Sequence, residues 1–256
     1  MKKSITTAAG RSHFLFSLSK YLILFSVLIG VSSCSEDAPE TWEIVVLVDT
    51  TSCNCEEVAA TAQKMLNEYM DFDEDFGNVR TACNITFTPV NGQILRPDVV
   101  CKLSSAPGFA TRDYKKRKEE VTAFWGQKIP TALAAVCKDT GDTSKTYLYH
   151  GINHALNEIT AKNSDHKLVL LFSDAIENGS ISFYDHQSNP EYLTVEADSI
   201  AAVLDGLYGA MPAMSGLNFV LVHTPAHKHQ HLFDNSRAFL RHYIENGGGH
   251  FSFVKN

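Results

Sequence analysis

Several devices that would assign a chain quickly are missing from these 256 residues. No glycine-rich loop follows the first strand-like run, so no backbone cradle for a dinucleotide pyrophosphate is present there. No basic tract exists apart from Lys115-Lys116-Arg117-Lys118, and Glu119-Glu120 follow it at once, as on a solvated helix face. With a formal net charge of −7, this argues against nucleic acid as the main partner. Internal repeats and low-complexity segments are also missing. What remains is 44% hydrophobic composition in a chain long enough to bury a sizeable core, which suits one large domain.

The first segment stands apart from that domain. Lys2, Lys3, Arg11 and Lys20 precede the apolar run Tyr21 to Gly30, which is too short to span a bilayer. Charge, then apolar residues, then the small residues of Val31-Ser32-Ser33 is the order of a secretory signal. Val31-Ser32-Ser33-Cys34 resembles the lipobox of bacterial lipoproteins, which implies cleavage before Cys34, acylation of that cysteine, and a stable anchor once more than one chain is attached. Ser35-Glu36-Asp37 resembles the acidic tract of surface-exposed lipoproteins. The expected organisation is a signal over 1–33, a tether over 34–41 and a domain over 42–256, in the bacterial outer membrane. Removing the leader takes 4 of the 22 Lys/Arg, leaving 18 against 29 Asp/Glu, so the mature chain is more acidic still.

Within the domain, buried-type strands alternate with amphipathic helices. Trp42 to Val48 reads as a strand with little polar alternation, and Glu56 to Met70 as the helix that follows. Arg80 to Thr88 and Gln93 to Leu103 read as a hairpin turning at Pro89-Val90-Asn91-Gly92. Asp113 to Trp125 and Ile129 to Cys137 are helical patterns, broken near Pro130. A helix over Thr146 to Thr160 and a strand over Lys167 to Phe172 come next. Val195 to Tyr208 places Ile200, Val203, Leu204 and Leu207 in helical register, and Leu217 to Val222 is a strand ending at His223. Asp234 is a good N-cap for a helix to Asn246, Gly247-Gly248-Gly249 stops it, and His250 to Val254 supplies a last strand. The pattern predicts an α/β fold: a Rossmann-like open, mostly parallel sheet with helices on both faces.

Two of the strands end in aspartate: Val45-Val46-Leu47-Val48 runs into Asp49, and Lys167 to Phe172 into Ser173-Asp174. Ligands of open α/β sheets bind beyond the carboxyl ends of the strands, so carboxylates and hydroxyls gathered there suit a hard dication, magnesium or manganese. For each aspartate alone, helix capping is the plainer role.

At these positions the chain resembles the von Willebrand factor type A family, whose metal-ion-dependent adhesion site uses an Asp-x-Ser-x-Ser loop, a later threonine and an aspartate after strand four. Asp49-Thr50-Thr51-Ser52-Cys53 matches the loop, Thr146-Tyr147-Leu148-Tyr149-His150-Gly151-Ile152 the threonine segment, and Leu170-Leu171-Phe172-Ser173-Asp174 the strand-four signature. The resemblance implies a Mg or Mn site at Asp49, Thr51, Cys53, Thr146 and Asp174, with a protein or other macromolecular ligand completing the coordination and no catalysis. Thr51 keeps the hydroxyl of the first serine, whereas Cys53 replaces the second serine with a soft sulfur. Lys145 precedes the threonine and Ala175 follows Asp174 where glycine is usual. Both an occupied site and a degenerate one on an intact scaffold are compatible with these residues.

Three other features carry alternatives. Cys53-Asn54-Cys55 with Cys83, Cys101 and Cys137 could form disulfides, bind a metal or serve redox chemistry, with long-range disulfides favoured outside the cytoplasm. His223, His227, His229 and His231 sit in or beside one expected loop; the last three could form a second zinc or copper cluster, or simply be polar surface. Asp71 to Gly77 alternates carboxylates like a calcium loop, with glycine one place late. A metal-dependent hydrolase using Asp49 and a histidine is the rival to a binding module, although Thr51 stands where aspartate-based phosphatases typically carry a second carboxylate.

Overall fold

The computed structural model describes residues 40–53, 55–70, 81–92, 98–105, 111–138, 145–223 and 229–255. Cys34 and the leader, the acidic stretch 71–77 and His227 lie outside them.

Strand β1 (Thr41–Asp49) is the axis of the sheet. It pairs in parallel with β2 (Ala82–Val90) on one side and β4 (His166–Phe172) on the other. The short β3 (Val99–Leu103) pairs antiparallel with β2 as expected, but Pro89 and Val90 belong to β2 and not to the turn, and residues 93–97 of the expected second strand lie outside the described residues. Beyond β4 come β5 (Leu217–His223) and β6 (His250–Lys255), both parallel. The order is β3-β2-β1-β4-β5-β6, so the direction of strand addition reverses between β1 and β4. Asp49 and Asp174 flank that reversal, where neighbouring loops part and leave room for a ligand.

Helices cover both faces because both faces of the central strands are apolar. Val45 and Leu47 point to one side, with Val169, Leu171, Phe219 and Leu221. There they meet α4 (Leu148–Thr160), α6 (Ala197–Tyr208) and α7 (Gln230–Asn246). Ile44, Val46 and Val48 point to the other side, against α1 (Cys55–Tyr69), α2 (Thr111–Ala123) and α3 (Ile129–Lys138). Fully burying each such side chain contributes about 1.5–3 kcal/mol, which makes the strand register hard to slip. The short α5 (Tyr192–Val195) precedes α6.

The structure departs from the sequence reading at further places. The helical run does not break at Pro130: α2 passes through a π-turn, Phe124–Lys128, straight into α3. Proline in a helix lacks an N–H and crowds the carbonyl four residues back, and a π-turn just before it accommodates both. Helix α7 starts at Gln230, four residues before Asp234, because Leu232 and Phe233 find buried positions in its first turn. On α6, Ile200 and Leu204 are buried, but Val203 and Leu207 are 49% and 48% exposed. Finally, no disulfide joins Cys53, Cys83, Cys101 or Cys137. All four belong to or pack against the core layer under α1 to α3, where thiols serve as small apolar groups. Burial pushes the Cys83 thiol up to about 12, which keeps it protonated and inert.

Candidate functional site

The loop after β1 folds back on its own aspartate. Ser52 and Cys53 donate their backbone N–H groups to the Asp49 carbonyl, at 3.3 and 3.1 Å. That tight turn brings the Thr51 N–H (3.0 Å) and the Thr51 hydroxyl (2.6 Å) onto Asp49 Oδ1. Asp49 Oδ2 takes the hydroxyls of Ser52 (2.8 Å) and, from beyond β4, Ser173 (2.9 Å). Asp49 is 1% exposed, and these four donors replace the water it has lost.

Thr146 arrives from the far side of the sequence. Its hydroxyl lies 2.7 Å from the Thr51 hydroxyl, across 95 residues. Two contacts hold it there: Asn178 N–H donates to the Thr146 carbonyl at 3.0 Å, and Glu177 Oε2 accepts the Tyr149 N–H at 2.9 Å. The Glu177 carboxylate also takes the Leu148 and Gly179 N–H groups and the Tyr208 hydroxyl. It therefore caps the N-terminus of α4 from outside the helix, supplying what a local Ser or Asp cap would. Gly179 is required at this point, since a Cβ there would run into Glu177 Oε1 and the Tyr147 ring. Burial outweighs all these bonds and raises the Glu177 pKa to about 7.

Asp174 completes the rim. Its backbone N–H reaches Ser52 Oγ at 3.4 Å, and its Oδ1 accepts the Ile176 N–H at 3.0 Å. Burial, followed by the charge of Asp49, raises its pKa to about 7. Burial, followed by the charges of the same two aspartates, pushes the Tyr184 pKa up to about 12. Ala175 takes φ 58°, a left-handed conformation that glycine adopts without strain.

Of the sequence-predicted ligands, Asp49, Thr51, Thr146 and Asp174 are thus brought together. Cys53 Sγ lies 3.7 Å from Ser52 Oγ and packs against the core layer under α1 to α3. Ser52 and Ser173 supply the hydroxyls next to Asp49. Both lay inside the motif segments but carry no ligand role in the motif, and Glu177 sits three residues beyond the last of them; a search for further polar residues around Asp49 and Asp174 is the signal that would have found them. Lys145 is exposed, and its carbonyl accepts the Gly92 N–H at 3.3 Å.

The donor set fits a hard dication. It consists of carboxylate and hydroxyl oxygens, and the Asp174 pKa is raised first by its shielding from water and then by the charge of Asp49; a cation at the rim would offset both. The histidines do not converge in the same way among the described residues. His223 ends β5, stacked on Phe233 at 3.8 Å, and burial lowers its pKa. His229 meets Gln187 Nε2 at 3.1 Å and packs edge-on to Tyr184, while His231 Nε2 lies 3.5 Å from Glu191.

No protein-family model matches the chain, and no curated protein does. Among solved structures, the chain is similar to the SpRpn10 VWA domain at 8% identity and a TM-score of 0.34, over 85% of this chain and 88% of that one. It is similar to the pilus adhesin SpaC from Lactobacillus rhamnosus GG at 10% identity and a TM-score of 0.40, over 85% of this chain and 28% of that one. Proximal thread matrix protein 1 from the mussel byssus aligns at 14% identity and a TM-score of 0.36, over 85% and 45% of the two chains.

Proposed function

We propose that this chain is a membrane-anchored binding module whose oxygen-lined rim takes a magnesium or manganese ion and, through it, an acidic group of a protein or other macromolecular partner. One observation carries the reading: Thr51 and Thr146, 95 residues apart, meet hydroxyl to hydroxyl beside the buried Asp49, with Asp174 on the same rim, at the point where strand order reverses. Asp49, Thr51, Thr146 and Asp174 would hold the ion, and Ser52 and Ser173 would fix the Asp49 carboxylate. The ion would supply an open coordination position for an oxygen of the partner. The lipobox-like leader supports a tether through Cys34 and, with it, a position on the bacterial outer membrane.

Binding is preferred over hydrolysis because aspartate-based phosphatases typically carry a second carboxylate two residues after the nucleophile, where Thr51 stands here. Calorimetric titration of the purified full chain with MgCl2 and MnCl2 tests the reading. Binding that disappears in Asp49→Ala is expected; a wild-type chain that takes up neither ion refutes it. Turnover of a phosphate ester lost in Asp49→Ala would instead establish the hydrolase.

A further inference from the structure

A second cluster of metal-ligand type lies away from the oxygen rim, where the edge hairpin meets α4. His154 and Glu158 are one turn apart on α4, so both side chains leave the same face of the helix. Asp98 immediately precedes β3 and reaches toward the same point. One ligand atom from each of the three residues lies within 4.8 Å of the others.

The details fit a shared ion. His154 Nε2 and Asp98 Oδ2 stand 3.8 Å apart, beyond hydrogen-bond length but close enough to share an ion after a slight contraction. Asp98 is also oriented from behind: the buried Thr88 hydroxyl on β2 donates to its Oδ1 at 2.5 Å, which leaves Oδ2 turned to the histidine. Carboxylates at metal sites are commonly held by such an outer partner. Thr88 lies two residues before Val90 on β2, and Val90 packs into the α4 side of the sheet, so Thr88 faces that side too.

We propose that Asp98, His154 and Glu158 form a separate site for a zinc-class dication, bound by one imidazole nitrogen and two carboxylate oxygens with a position left for water. A single nitrogen among oxygens selects first-row transition ions over magnesium, unlike the all-oxygen rim. The bound ion would tie the five-residue edge strand β3 to α4, the helix whose N-terminus presents Thr146. From Leu148 to His154 the helix rises roughly 9 Å, so the two centres share one rigid element without sharing a ligand.

The full chain, stripped with chelator and titrated with ZnCl2 by calorimetry, with Co(II) absorption as a second readout, tests this. One site is expected that is lost in His154→Ala and in Glu158→Gln, and weakened about ten- to hundredfold in Thr88→Val. Glu158 is exposed, so its substitution leaves folding intact, as circular dichroism will show. Magnesium binding is expected to survive in Glu158→Gln, and zinc binding in Asp49→Ala, which separates this site from the oxygen rim. Failure of the wild type to bind zinc, zinc binding unchanged in both His154→Ala and Glu158→Gln, or zinc lost only when His227, His229 and His231 are replaced would each overturn the proposal.

Discussion

Asp49 and Asp174 stand at corresponding ends of adjacent strands, yet their surroundings treat them in opposite ways. The β1 end is saturated: two oxygens, four donors, and a loop that turns back to provide them. The β4 end is left wanting: Asp174 accepts the N–H of Ile176, while burial and the charge of its neighbour hold its pKa near 7. One carboxylate is a finished anionic seat. The other gives up its proton only near neutral pH. Local hydrogen bonding makes the difference, since the two strands are paired residue by residue and end almost level.

The largest expected effect removes the finished seat. Asp49→Ala is expected to abolish the proposed magnesium and manganese uptake and leaves the hydroxyls of Thr51, Ser52 and Ser173 without their acceptor. Urea unfolding of the ion-free protein is expected to show a loss of about 2–4 kcal/mol.

A pH series on the ion-free protein sharpens the contrast next. Asp174 and Glu177 have folded pKa values near 7, above the roughly 4 of an unfolded carboxylate. Between about pH 4 and 7 the unfolded chain gives up these protons and the folded chain keeps them. Stability therefore falls as pH rises through that window, by up to about 1.4 kcal/mol per pH unit for each group, and levels off above 7. Saturating magnesium is expected to remove the Asp174 part of the slope and leave the Glu177 part, and magnesium affinity is expected to weaken as pH drops below about 7. A flat profile between pH 4 and 7 would show that the two strand ends do not differ as described.

Asp174→Asn keeps the shape and removes the unfavourable charge. At pH 8 without metal it is expected to stabilise the protein by about 2 kcal/mol while weakening magnesium binding, a trade of function for stability. Cys53→Ser restores an oxygen where the resembling family carries one, and about a tenfold gain in magnesium affinity is expected by calorimetry. The smallest effect is Ala175→Gly. Relief of the left-handed conformation is offset by the extra backbone freedom of glycine in the unfolded state, so the unfolding midpoint should move by less than the equivalent of about 1 kcal/mol.

Much of the scaffold was legible in the chain. The unbroken apolar run Val45 to Val48 had to be a strand covered on both faces, and its twin ending at Ser173-Asp174 had to be another. The helical register of Ile152, Ala155, Leu156 and Ile159 placed α4 correctly on the sheet. Legibility failed where a residue's state depends on distant neighbours. Val203 and Leu207 fit the same helical register as Ile200 and Leu204, and only the packing of α6 decided which pair was covered. Asp234 had every local mark of an N-cap, but the places open to Leu232 and Phe233 drew the helix back to Gln230.

The sequence by itself determined most of the strands and helices, the alternation that demands a two-faced parallel sheet, and the delivery of two aspartates to strand ends, because periodicity and side-chain type act over a few residues. Only the tertiary structure decided that Thr51 meets Thr146, that Glu177 caps α4 from outside, that Asp174 holds a proton near neutrality, and that Asp98 approaches His154 and Glu158. Each of these rests on strand order and on the exclusion of water by segments far apart in the chain, which no local pattern records.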